Sequence, residues 1–155
     1  MIPTISHKEL VAHGAKWLNK NAPNVFYRCQ FVCTELTCAG TKEIPDIVGI
    51  RSTGNILIEV KVSRADFKRD HLKKGRSGEF LQIGKKRLYL APKGLLNINE
   101  IPESWGLLEW DGRDIEIKKH SEDFLEDKNA INFIYYSVIR RTNKPQVFDF
   151  KKKTS

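Results

Sequence analysis

The chain has 155 residues and a formal net charge of +8, from 27 Lys and Arg against 19 Asp and Glu. With 40% hydrophobic and 30% charged residues it reads as one globular domain, large enough to close a core without disulfide or metal staples. No apolar run approaches the ~18 residues of a membrane span and no signal-peptide core opens the chain, so a cytoplasmic protein is expected, and the basic excess favours a polyanionic partner such as nucleic acid over a membrane.

Ser6-His7-Lys8-Glu9 has the spacing of a capping box, Ser at the N-cap and Glu three positions on, and predicts a helix from there to about Lys20. Leu10, Val11, Gly14, Trp17 and Leu18 recur at helical spacing and define its buried face. Asn21-Ala22-Pro23-Asn24 ends it. His7 and His13 have no companion at ligand spacing and read as surface or helix-packing residues. Val25 to Glu35, rich in β-branched and aromatic residues, is a first strand, and Thr37 to Glu43 links it to the next. Cys29, Cys33 and Cys38 are odd in number and show no C-x-x-C spacing. Cys29 and Cys33 would stand about 13 Å apart on a strand, so free thiols are expected rather than a zinc site.

Two apolar runs follow, Ile44 to Ile50 and Ile56 to Val62, flanking the turn-rich string Arg51-Ser52-Thr53-Gly54-Asn55. A β-hairpin is predicted. With Thr53 and Gly54 at the tip, paired residue numbers sum to 107. Asp46 then faces Lys61, with Glu59 one diagonal step away on the same side of the sheet. Three charges converge inside an otherwise apolar hairpin. Either they form a cross-strand ion pair on a solvated face, or they are desolvated and must pair or hold a metal ion.

Ser63-Arg64-Ala65-Asp66 starts a second helix, expected to run to about Leu72 with Phe67 as its anchor, and Lys73 to Gly78, with two glycines, reads as a mobile loop. From Lys61 to Arg87 ten basic residues stand against Asp66, Asp70 and Glu79. Ser63, Arg64, Lys68, Arg69, Lys73, Lys74 and Arg76 are therefore candidate contacts to a nucleic-acid backbone, with affinity that falls steeply with salt, although a solvated face explains the same run. Arg87 to Ala91 is a strand closed by Pro92, Leu95 to Ser104 is a loop, and Trp105 to Trp110 is a strand turning at Asp111-Gly112 into Asp114 to Lys118. Trp105 and Trp110 are expected in the core or at an edge. Ser121 to about Arg141 is helical or irregular, with apolar content suited to a docked helix, and Lys151 to Ser155 is a basic tail. The division expected is a single domain with a core over about 5–120, a C-terminal extension over about 121–145 and a tail over 146–155.

Pro45-Asp46, followed after 13 positions by Glu59-Val60-Lys61, resembles the motif of the PD-(D/E)XK nuclease superfamily. The continuation Lys61-Val62-Ser63-Arg64-Ala65-Asp66-Phe67 is similar to a branch found among bacterial and phage DNA-repair-type nucleases, and the resemblance covers roughly residues 1 to 120. It implies an α/β fold with an αβββαβ restriction-endonuclease-like core, a mixed central sheet flanked by helices. It implies metal-dependent hydrolysis of phosphodiester bonds, in DNA before RNA, in repair, recombination or phage defence. Asp46 and Glu59, with the backbone carbonyl of Val60, would hold Mg2+, with Mn2+ as a substitute, and Lys61 would orient or help deprotonate the attacking water. Glu9 enters as a further acidic ligand from the first helix, although capping alone accounts for it. Many members act as dimers, which leaves a homodimer open. The Gln-x-x-x-Tyr motif of some relatives has no counterpart, since Gln82 and Tyr89 are seven apart. The competing reading is a catalytically silent nucleic-acid-binding or interaction protein that keeps the same fold.

Overall fold

The computed structural model describes residues 3–23, 26–36, 44–77, 83–142, 147, 150 and 151, with the backbone alone over 71–77. Helix α1, His7–Lys16, starts at the capping box: Ser6 Oγ accepts from the Glu9 amide at 3.2 Å and Glu9 Oε2 accepts from the Ser6 amide at 2.9 Å. A π-helical turn, Trp17–Asn21, extends it to the expected stop. Leu10, Val11, Gly14, Trp17 and Leu18 are all buried, as their spacing predicts.

Strand β1, Phe31–Thr34, is shorter than the predicted span. The amides of Phe26 and Tyr27 donate to Pro23 O, so the chain turns there before it can pair. Asn19 Nδ2 then donates to both Cys29 O and Gln30 O at 3.0 Å, pinning the approach to the strand. The remaining elements are β2, Ile47–Ile50; β3, Ile56–Val60; α2, Arg64–Ser77; β4, Lys86–Pro92; β5, Gly106–Trp110; β6, Ile115–Lys119; and α3, Lys128–Thr142. The strands form one open six-stranded sheet in chain order. β1, β2 and β3 are antiparallel, β3, β4 and β5 run parallel, and β6 returns antiparallel to β5. The chain is thus α/β with the expected αβββαβ order, a mixed sheet flanked by helices. Among the described residues no helix is long and apolar enough to cross a membrane.

Each sheet face buries its own apolar layer. Ile47, Ile56, Ile58, Val60, Leu88 and Leu90 pack under α1 with Leu10, Trp17 and Leu18. Val48, Leu57, Tyr89 and Ala91 point the other way, onto Phe67 of α2, Ala130 and Ile134 of α3, and the β4–β5 connection through Leu96, Ile101 and Trp105. Odd positions of β3 therefore face α2 and even positions face α1.

Three expectations change. The hairpin pairs Ile47 with Ile58 and Val48 with Leu57, so paired numbers sum to 105 rather than 107. The tip is Ser52-Thr53: the Gly54 amide donates to Arg51 O at 3.4 Å and Gly54 takes φ 122°, closing the loop one residue earlier than its Gly suggests. Helix α2 continues through Gly75 to Ser77, where a loop from Lys73 was expected. Pro92 ends β4 from inside, as its last residue. The linker Thr37 to Glu43, Cys38 and Lys152 to Ser155 lie outside the described residues. Trp105 and Trp110 are buried, as expected.

Candidate functional site

The register shift moves Asp46 by two positions against β3, so side parity is preserved. Continuing the β2–β3 ladder one rung sets Asp46 directly across from Glu59, with Lys61 two positions along the same face. Glu59 and Lys61 share the α2 side of β3, whereas the Asp46 carboxylate, just before β2, meets the Val60 amide and His7 of α1. Asp46 Oδ2 accepts from the Val60 amide at 2.8 Å, which ties the two strands beyond their last ladder pair. Glu59 is only 6% exposed and lies beside Tyr89 in the parallel ladder. A carboxylate so withdrawn from water requires donors or positive charge around it.

Lys61 leaves β3 just after its amide donates to Leu90 O at 2.9 Å. Its Nζ lies 3.6 Å from Asp70 Oδ2, with both side chains about nine-tenths buried. The same oxygen accepts from the Tyr89 hydroxyl at 3.0 Å. Tyr89 is itself fixed between Trp105, ring centroids 4.7 Å apart, and the edge of Phe67 at 5.3 Å. On the other side Asp46 Oδ1 lies 3.3 Å from His7 Nε2. Glu9, two residues later, is held by the capping box: its Oε2 also accepts from Ser6 Oγ at 2.7 Å, and those bonds lower its pKa. First-turn contact with the acids therefore comes from His7, not from Glu9.

The basic stretch is partly neutralised by its own neighbours. Ser63 Oγ accepts from the Asp66 amide at 3.2 Å, starting α2. Arg64 forms a two-pronged pair with Glu100, at 2.7 and 2.9 Å, and donates to Leu95 O at 3.0 Å. The Arg64 guanidinium and the Asn97 amide hold the Glu100 carboxyl down to about 2. Arg69 pairs with Asp66, and Lys86 Nζ lies 2.6 Å from Asp123. Arg87 is buried, stacked 4.1 Å over Phe124, and desolvation brings its pKa down to about 10. Lys68 is exposed and, among the described residues, in no ion pair. The side chains of Lys73, Lys74 and Arg76 lie outside the described residues.

Sequence reasoning did not single out His7, Asp70 or Tyr89. His7 is joined to Asp46 only by the tertiary packing of α1 on the sheet. Asp70 did carry a signal, since it lies three residues after Phe67 and so on the inward face of α2. Among the described residues no group of three His, Cys, Asp and Glu side chains is gathered as a metal site. Among the described residues, neither a groove at the β2–β3 tip nor one between α2 and the β4–β5 connection includes Asp46, Glu59 or Lys61.

No protein-family model and no curated protein matches the chain. Among solved structures it is similar to the SPO1766 protein of unknown function from Silicibacter pomeroyi, at 22% identity and a TM-score of 0.54, over 72% of this chain and 75% of that one. That likeness is one of fold.

Proposed function

We propose that this chain is a Mg2+-dependent nuclease of the PD-(D/E)XK type that hydrolyses phosphodiester bonds in DNA. The observation that carries the reading is the β2–β3 ladder, whose continuation sets Asp46 across from Glu59 with Lys61 two residues on, the Asp46 carboxylate being tied to the Val60 amide. Free thiols at Cys29 and Cys33 accord with work in the cytoplasm.

The donor set suits such an ion. Asp46 and Glu59, with the Val60 carbonyl, offer the hard oxygens that Mg2+ and Mn2+ take. When bound, the ion supplies a water of lowered pKa and offsets charge that builds on the phosphate. The Val60 amide fixes the Asp46 carboxylate through Oδ2, which leaves Oδ1, now beside His7, as its outward oxygen. Lys61 directs its ammonium along the same face, restrained by Asp70, and stabilises negative charge on the scissile phosphate. Lys68, with neighbouring cations of α2, holds the flanking backbone through contacts that salt weakens.

A plasmid and oligonucleotide digestion assay with Mg2+ or Mn2+ tests this directly. Wild type is expected to cut, while Glu59→Gln and Lys61→Ala fold but do not. Cutting by both variants at the wild-type rate would remove these residues from the chemistry. The second reading, a silent nucleic-acid binder, draws on both Asp46 oxygens already having protein partners. It predicts salt-sensitive DNA binding with no cleavage under any divalent ion.

A further inference from the structure

At the far end of the same hairpin lies a groove of about 750 Å³, within the roughly 300–1,000 Å³ typical of small-molecule sites. It runs between the tip of β2–β3, the start of β1 and the π-helical turn, with Tyr135 of α3 at its rim. Five extended residues, about 16 Å, separate Asp46 from Arg51. Arg51 stands beside the hairpin tip, whereas Asp46 precedes β2 at the opposite end. The groove is therefore distinct from the carboxylate cluster.

Its lining is chemically one-sided. Arg28 and Arg51 contribute two guanidinium groups, and no Asp or Glu is among the described lining residues. Arg28 donates from Nε to Ala22 O at 3.1 Å, and Arg51 donates from Nη1 to Phe26 O at 2.9 Å and from Nε to Gly54 O at 3.4 Å. Those carbonyls orient the two forks and leave further N–H donors on each, since a guanidinium carries five. The charge of Arg51 is felt by Asp123, an exposed carboxylate already paired with Lys86. Phe31, at the start of β1, is 59% exposed at the groove, which leaves its ring open to a flat partner. Tyr135 is held by its hydroxyl on the Asn55 side chain at 3.3 Å, which presents its ring at a fixed angle. Cys29 also lines the groove, but burial pushes its thiol up to about 12, so thiolate chemistry is excluded there.

Two guanidinium groups beside two aromatic rings suit a ligand that is anionic at one end and flat at the other. We propose that this groove binds a nucleoside phosphate, its base against Phe31 and Tyr135 and its phosphate against Arg28 and Arg51. The ligand is either a free nucleotide or the terminal unit of a single strand. The inference stands whether or not the Asp46 cluster cuts nucleic acid, and its test is a binding measurement made with divalent ions chelated.

Titration at low, fixed ionic strength with deoxyadenosine 5′-monophosphate, deoxyadenosine, inorganic phosphate and a short 5′-phosphorylated single-stranded oligonucleotide distinguishes the sources. The mononucleotide or the oligonucleotide is expected to bind more tightly than either deoxyadenosine or phosphate. Phe31→Ala and Arg28→Gln are each expected to weaken that binding roughly tenfold or more, and Arg28→Lys to recover part of the loss. Lys93→Ala, exposed beyond the far end of β4, is expected to leave mononucleotide binding unchanged. Binding of the oligonucleotide alone assigns the site to a strand end, and equal binding of the mononucleotide assigns it to free nucleotide. The proposal is overturned if neither ligand binds, if phosphate alone binds as tightly, or if folded Phe31→Ala and Arg28→Gln match wild type.

Discussion

Strand β3 has two unlike sides. Toward α1 it presents Ile56, Ile58 and Val60 to a layer so closely packed that a Cβ on Gly14 would lie 2.7 Å from Ile47 and Leu90 side-chain atoms. Toward α2 it presents Leu57, then Glu59, and Lys61 follows, so the apolar layer gives way to charge as the strand ends. The α1 side secures the strand, and that security lets the α2 side withdraw a carboxylate from water. On the function proposed, one five-residue strand separates stability from chemistry by alternation alone.

The sharpest way to break this division is Glu59→Gln. It should abolish divalent-dependent cleavage, by about a thousandfold, while the denaturation midpoint stays close to wild type. A large loss of stability with cleavage retained would reverse the assignment of the two sides. Next in size, Leu90→Ala on the α1 side should cost about 2–5 kcal/mol in urea unfolding and leave the rate per folded molecule unchanged. Gly49→Ala should cost about 1–3 kcal/mol, because its Cβ would lie 2.4 Å from Cys29 Sγ and 2.7 Å from Leu18 Cδ2.

The smallest effect belongs to the surface pair Arg64–Glu100. Glu100 has its pKa lowered from 4.5 to about 2, so its stabilising contribution is fully present above pH 4.5 and is lost as pH falls toward 2. Because the pair is half-exposed, Glu100→Gln should cost under ~1 kcal/mol at pH 7, and wild type and variant should converge in stability as the pH approaches 2. A gap that persists there would show that the pair acts through packing rather than charge.

Much of this layout was legible because it is local. Ser6 and Glu9 announced α1, the spacing of Leu10 to Leu18 announced its buried face, and the two apolar runs announced the β2–β3 hairpin, although its register was two off, which sets Asp46 across from Glu59 rather than Lys61. That error came from Gly54, whose positive φ was assigned to the tip when Arg51 O closes the turn around Ser52 and Thr53. The basic run was visible in sequence, but its pairing was not. Arg64 with Glu100 and Lys86 with Asp123 each join residues more than thirty positions apart. The contacts of His7 with Asp46 and of Asp70 with Lys61 depend on how α1 and α2 sit on the sheet, which no local pattern encodes.

The stretch after β6 is built into the sheet rather than added to it. The Phe124 amide donates to Lys85 O at 2.8 Å, Ser121 Oγ accepts from the Arg87 amide at 2.9 Å, and Glu126 accepts from the amides of Gly84 and Asn55. Ala130 and Ile134 then seal the layer beneath α2. A truncation after His120 would therefore strip the partners from the residues that lead into both β3 and β4, and the minimal folding unit extends at least to Ser137 of α3.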